Sequence, residues 1–283
     1  MPDIEKKNAA TGQIILADDF GDTAGLGYEN QTNQDIAIPF LNVLQAMSPE
    51  VTGDDGAGIE GARPGMLINS VTKDLFKGPI VFQPVATSHS FNEWVPRDRG
   101  GGLVGRHEID SPIVAKAKAD AREFGKYKTP EGNDLIETFT IAGFILENGD
   151  QDYMGAPIVI SFTSTKIKVY KSIMTRLRTL LVDVRLPNGQ TAKKQPPLCL
   201  NRLKISTVNE KNTKGSFWNF KFEPFTDNDL RASLIPARLG EQEHPLFTAG
   251  KEFHRQFTSG NVKLADESQN RAGPGAGEDD APF

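Results

Sequence analysis

The stretch Ser216-Phe-Trp-Asn-Phe-Lys-Phe-Glu223 packs four aromatic rings into eight residues. In an extended strand Trp218, Phe220 and Phe222 share one face, while Phe217, Asn219 and Lys221 share the other. Only one of these faces can enter the core of a half-buried sheet, which leaves Phe217 or Trp218 to stack on a flat ligand. Stacking on a nucleobase is worth roughly 1–3 kcal/mol and is indifferent to base sequence. The preceding strand brings Arg202 and Lys204 to one face, and the loop 209–215 adds Lys211 and Lys214. Such an array suits a phosphate backbone, whose counterions are released as each cation binds. Cations alone would fit duplex DNA or an anionic membrane equally well. Rings interleaved with cations point to unpaired nucleic acid.

Two further groups extend this pattern. Phe91 and Trp94 precede Pro96-Arg-Asp-Arg-Gly-Gly-Gly102, where glycines let a backbone approach phosphates and Arg97 and Arg99 pair with them; a plain hairpin loop is the alternative. Between residues 166 and 182 the apolar residues Ile167, Tyr170, Ile173, Met174, Leu177, Leu180 and Leu181 fall on one broad helical stripe. Lys168, Lys171, Arg176 and Arg178 lie outside it, giving an amphipathic helix with a basic outer face. Lys193 and Lys194 follow in a loop after the turn at Pro187-Asn-Gly189.

Catalytic patterns are missing from the sequence. The histidines (His89, His107, His244 and His254) are scattered, there is no Gly-Lys-Ser/Thr phosphate loop, and the single Cys199 excludes an intramolecular disulfide. Cys199 reads as a buried, inert thiol in an apolar strand. Neither a metal nor a cofactor is expected, nor enzymatic activity.

The net charge of −5 conceals a partition. Residues 1–60 hold two Lys against eleven acids, a balance of −9, whereas 163–223 hold thirteen Lys and Arg against three acids, a balance of +10. Residues 265–283 return to −4. Acidic ends around a basic centre mark a polyanion-binding surface with acidic appendages. No apolar window is long enough to span a bilayer.

The elements that must hold these residues are mainly strands. Residues 1–35 read as a disordered acidic segment, 36–258 as a single β-rich domain and 259–283 as a disordered linker and acidic tail. Strands are expected at 65–71, 79–87, 90–95, 136–146, 156–162, 198–208 and 216–223, and helices at 36–47, 113–124, 166–182, 227–239 and 246–257. The fold class is therefore mainly β with accessory helices, either an OB-like barrel or a twisted antiparallel sheet.

The end of the chain, Gly277-Glu-Asp-Asp-Ala-Pro-Phe283, resembles the acidic, Pro-Phe-ended tip of bacterial single-stranded-DNA-binding proteins and the Phe-ended tails of phage proteins of that function. The resemblance implies that Pro282 and Phe283 anchor in a partner's apolar pocket while Glu278, Asp279 and Asp280 meet basic residues around it. Ala281 stands where the bacterial tip has a larger aliphatic residue. Pro39 to Glu50, Arg63 to Val71 and Phe91 to Arg97 with its triple glycine also look like tailed-phage proteins labelled single-stranded-DNA-binding.

These readings lead to a sequence-tolerant single-stranded-DNA binder of phage replication and recombination, acting in the host cytoplasm. Its partners are single-stranded DNA and replication or recombination proteins met through the tail, with no membrane; homo-oligomerisation is left open. A strand-annealing protein, or a regulator of a host polymerase or nuclease, is the alternative.

Overall fold

The computed structural model describes residue 27 and residues 37–146, 156–213, 215–260 and 262–265. Its centre is a ribbon of two long antiparallel strands, β5 (Ile80–Trp94) and β8 (Asp134–Leu146), paired from Val81↔Leu146 to Trp94↔Asp134. The sequence suggested two strands where β5 is one. The register shifts between Pro84 and Ala86, so a bulge absorbs the proline, which has no N–H to give to the ladder. Opposite Pro84 stands Gly143, where a Cβ would fall 2.1 Å from the Gln83 carbonyl oxygen, so only glycine lets the backbones approach.

The ribbon is flanked differently at its two ends. At one end β12 (Leu203–Asn212) joins β5, with β13 (Gly215–Pro224) outside it, and β9 (Pro157–Phe162) joins β8. At the other end β6 (Leu103–Glu108) pairs with β5 and the short β7 (Tyr127–Lys128) with β8. Phe82, Ile141, Ile160, Ile205 and Phe220 form the main core, closed by Ile173 and Leu177 of a helix, Ile167–Thr179. The opposite face buries Val85, Ala142 and Phe144 against Leu246 and Phe253 of the C-terminal helix, Pro245–Thr258. A third cluster unites Phe91 and Leu135 with Val114 and Ala117 of the helix Pro112–Asp120. With the one-turn helix Pro49–Thr52 as α1, these are α2 (Pro112–Asp120), α3 (Ile167–Thr179) and α4 (Pro245–Thr258).

Of the two arrangements expected, the antiparallel sheet forms and the barrel does not close. One segment nevertheless touches both edge strands. Val159 N donates to Pro39 O at 2.9 Å, and the Gln45 amide both donates to Trp218 O and accepts from Trp218 N at 2.8 Å. That segment is not the expected helix over 36–47. It forms β1 (Ala37–Ile38) and β2 (Leu41–Val43), the latter paired with β3 (Leu67–Asn69). Its apolar spacing fits either period over so few residues, and the tertiary partners decide.

Residues 227–239 form no helix: 227–233 are turns, with Asp227 and Asn228 at φ of 41° and 56°, and Arg238–Leu239 pair with Gln242–Glu243 as a short strand. Leu198–Leu200 make a 3-10 turn after Pro196-Pro197, so Cys199 lies outside the strand expected there; it is buried, and burial pushes its thiol up. Order also continues past residue 258, where Lys263–Leu264 pair in parallel with β1. Among the described residues no helix is long and apolar enough to cross a membrane.

Candidate nucleic-acid interface

The β12–β13 hairpin divides its aromatic residues as the alternation predicts. Trp218↔Asn209, Phe220↔Thr207 and Phe222↔Ile205 pair on one face, Phe217↔Glu210, Asn219↔Val208 and Lys221↔Ser206 on the other. Phe220 and Phe222 are core residues. Trp218 is half-buried with its indole on the backbone of Gly65, where a Cβ would come within 2.6 Å of the ring. Phe217 is half-buried on the other face, which also carries the buried Asn219 and the exposed Lys221, the latter paired with Glu223 at 2.9 Å. Lys204 is half-buried and Lys211 exposed. Arg202 departs from expectation. It is 5% exposed, its Nε donates to Ser233 O at 3.2 Å, and its guanidinium lies 4.6 Å from the Phe225 ring centre. Desolvation lowers its pKa, and it serves as an internal tie rather than a phosphate contact.

On α3 the residues Lys168, Lys171 and Arg178 are all exposed along one stripe, as the helical period requires. Lys168 reaches Glu210 of β12 at 2.8 Å, and Asn219 Nδ2 donates to the same carboxylate at 3.2 Å, which ties the helix to the hairpin. Burial alone would raise the Glu210 carboxyl, but these two hydrogen bonds outweigh it and hold the group below the usual range. Lys193 and Lys194 stand exposed on a separate hairpin, β10 (Val182–Arg185) with β11 (Thr191–Lys194), where Lys193 faces Asp183 at 3.3 Å.

The Phe91–Gly102 group is not the expected contact surface. Phe91 and Trp94 are 1% and 5% exposed, so neither ring is free to stack; α2 covers Phe91. Arg99 is held by Glu131 O at 3.0 Å and Asn133 Oδ1 at 2.8 Å, and Arg97 is exposed. The glycine loop is a fixed turn closed by Val95 N to Gly102 O. Lys214 and the tail residues Glu278, Asp279, Asp280, Pro282 and Phe283 lie outside the described residues.

What the fold brings together instead is a row of rings on the sheet face between α2 and α3. His89 of β5 pairs with Phe139 of β8, and their rings stack at 4.0 Å and 17°. Tyr170 of α3 stacks on Phe139 from the other side at 4.7 Å. In the opposite direction the row runs from His89 to Phe91 at 6.1 Å, to Tyr127 at 5.8 Å and to Phe124 at 6.3 Å. Two lysines sit over it, Lys118 at 4.4 Å from the Phe91 ring and Lys171 at 5.8 Å from that of Phe139. Burial raises the Tyr170 phenol above its usual value, against a hydrogen bond with Thr87 and the Arg178 charge, so the phenol stays neutral. His89 Nε2 meets Glu137 Oε1 at 2.9 Å, and beyond Phe91 His107 Nε2 meets Glu93 Oε2 at 2.7 Å. The alternation of His89 with Phe91, and of Glu137 with Phe139, is readable in the sequence. Their pairing across 50 residues is not.

Residues 7–263 match the model of the Pam3 phage gp34-like protein family. The chain belongs to that family. It is thus a phage protein, and the family match takes in the ring row, α3 and the β12–β13 hairpin while ending before the acidic tail. No curated protein and no solved structure matches the chain.

Proposed function

We propose that this Pam3 phage gp34-like protein binds single-stranded DNA without strong sequence demand during phage replication and recombination, acting by binding rather than catalysis. The observation that carries the reading is the ring row flanked by Lys118 and Lys171, continuous with the basic stripe of α3. The outer members of the row, half-buried His89, Tyr127 and Tyr170 with exposed Phe124, can stack on unpaired bases over the buried Phe91 and Phe139, whereas a duplex keeps its base faces covered. Lys118 and Lys171, which lie over Phe91 and Phe139, supply the phosphate contacts that such stacking needs. In this reading the acidic C-terminal residues recruit replication or recombination proteins.

Fluorescence anisotropy with labelled oligo-dT and with duplex, at several salt concentrations, tests the proposal. Binding is expected to favour oligo-dT, with a log–log salt slope of about −0.7 per phosphate contact. The Lys118→Ala/Lys171→Ala double variant should flatten that slope by about 1.4, two contacts' worth. Binding confined to duplex would overturn the reading.

A further inference from the structure

Resting on the single-strand reading, we propose that a cleft at the end of the ring row holds one unstacked base and selects bases bearing an exocyclic amino group. The cleft is lined by Lys118, Ala121, Phe124, Tyr127 and Glu137. Phe124, on the connection from α2 to β7, is 76% exposed, so its ring is open to a ligand. It meets Tyr127 edge-on at 80°, so the two rings form a corner into which a planar base fits, its face on one ring and its edge against the other.

Glu137 makes this corner selective. It stands on β8 directly opposite Phe91, with its side chain 31% exposed. Its Oε1 is engaged by His89 at 2.9 Å, and its second oxygen accepts no hydrogen bond among the described residues. An ionised carboxylate only accepts hydrogen bonds, and in a site for a polyanion it repels phosphate. Its presence there is productive when it reads a donor. Cytosine N4, adenine N6 and guanine N2 offer amino N–H groups, whereas thymine offers only N3–H, flanked on both sides by the O2 and O4 carbonyls that repel a carboxylate. Lys118 at the mouth of the cleft supplies a cation for the phosphate of the same nucleotide.

Cytosine and thymine have rings of the same size, so comparing oligo-dC with oligo-dT of equal length isolates the edge contact from stacking. At neutral pH, titration of the intact protein should show oligo-dC bound about fivefold tighter, the lower end of base-edge discrimination. In Glu137→Gln, whose amide donates as well as accepts, the ratio should fall to near one. Phe124→Ala, a change at an exposed position, should weaken both oligonucleotides by similar factors. Equal affinities in the unmodified protein, or an unaltered ratio in Glu137→Gln, would overturn the base assignment and leave single-strand binding standing. Failure to bind either oligonucleotide would remove both.

Discussion

At the scale of single residues, Gly65 explains why Trp218 holds its place. Its φ of +87° already disfavours a side chain, and a Cβ would enter the indole at 2.6 Å from Cε3. Thr207 Oγ1 donates to the Gly65 carbonyl at 2.5 Å, so the glycine cannot swing aside without losing that bond. Gly65→Ala should cost about 2 kcal/mol or more in urea unfolding, combining left-handed strain with overpacking. Gly61→Ala is the control. Gly61 has a similar φ of +81° with nothing within 4 Å of a built Cβ, so it carries the strain alone and should cost less. Equal losses in the two variants would show that the Trp218 contact contributes nothing. Arg202 teaches the reverse lesson about residue type. A cation adjoining a basic strand looks like a phosphate contact, but the fold encloses it between Phe225 and the Ser233 carbonyl.

At the scale of elements, the β5–β6 hairpin carries a network with a definite pH response. Glu93 is buried, which by itself would raise its carboxyl, but hydrogen bonds from Asn133 at 2.7 Å and His107 at 2.7 Å hold it below the usual range. A carboxylate depressed in the folded state contributes stability that is fully present above about pH 4.3, the unfolded glutamate value, and is lost as pH falls through the lower folded value. The gap in urea midpoint between the unmodified protein and Glu93→Gln should therefore be widest near neutrality and close as pH drops towards 3. A gap that stays constant with pH would show that the network adds nothing through ionisation. Glu210 joins α3 to β12 by the same logic, with Lys168 and Asn219 as its donors.

At the scale of the whole molecule, the charge partition bears on how the proposed binding would be regulated. The acidic ends balance a basic centre, and on the proposed single-strand reading a tethered acidic peptide would compete with DNA for that centre at an effective concentration set by the chain. Deleting residues 278–283 should tighten oligo-dT binding at low salt. The gain should vanish at high salt, where the screening length shrinks to a few ångström. Unchanged affinity at low salt would rule out the competition.

The sequence by itself determined what has a local period or a local sum. The alternation of 216–223 between two faces, the amphipathic helix read over 166–182 and formed over 167–179 with its exposed lysines, and the separation of charge along the chain all follow from side-chain spacing and composition. Only the tertiary structure decided which strand lies beside which. The ring row needs His89 next to Phe139, Tyr170 delivered by α3 and Tyr127 by β7, and none of these neighbours is close in sequence. The same long-range packing buried Phe91, Trp94 and Arg202 and turned 36–47 from an apparent helix into strands. Register and burial come from the simultaneous pairing of backbone groups and filling of a shared core, and no window of neighbouring residues contains that information.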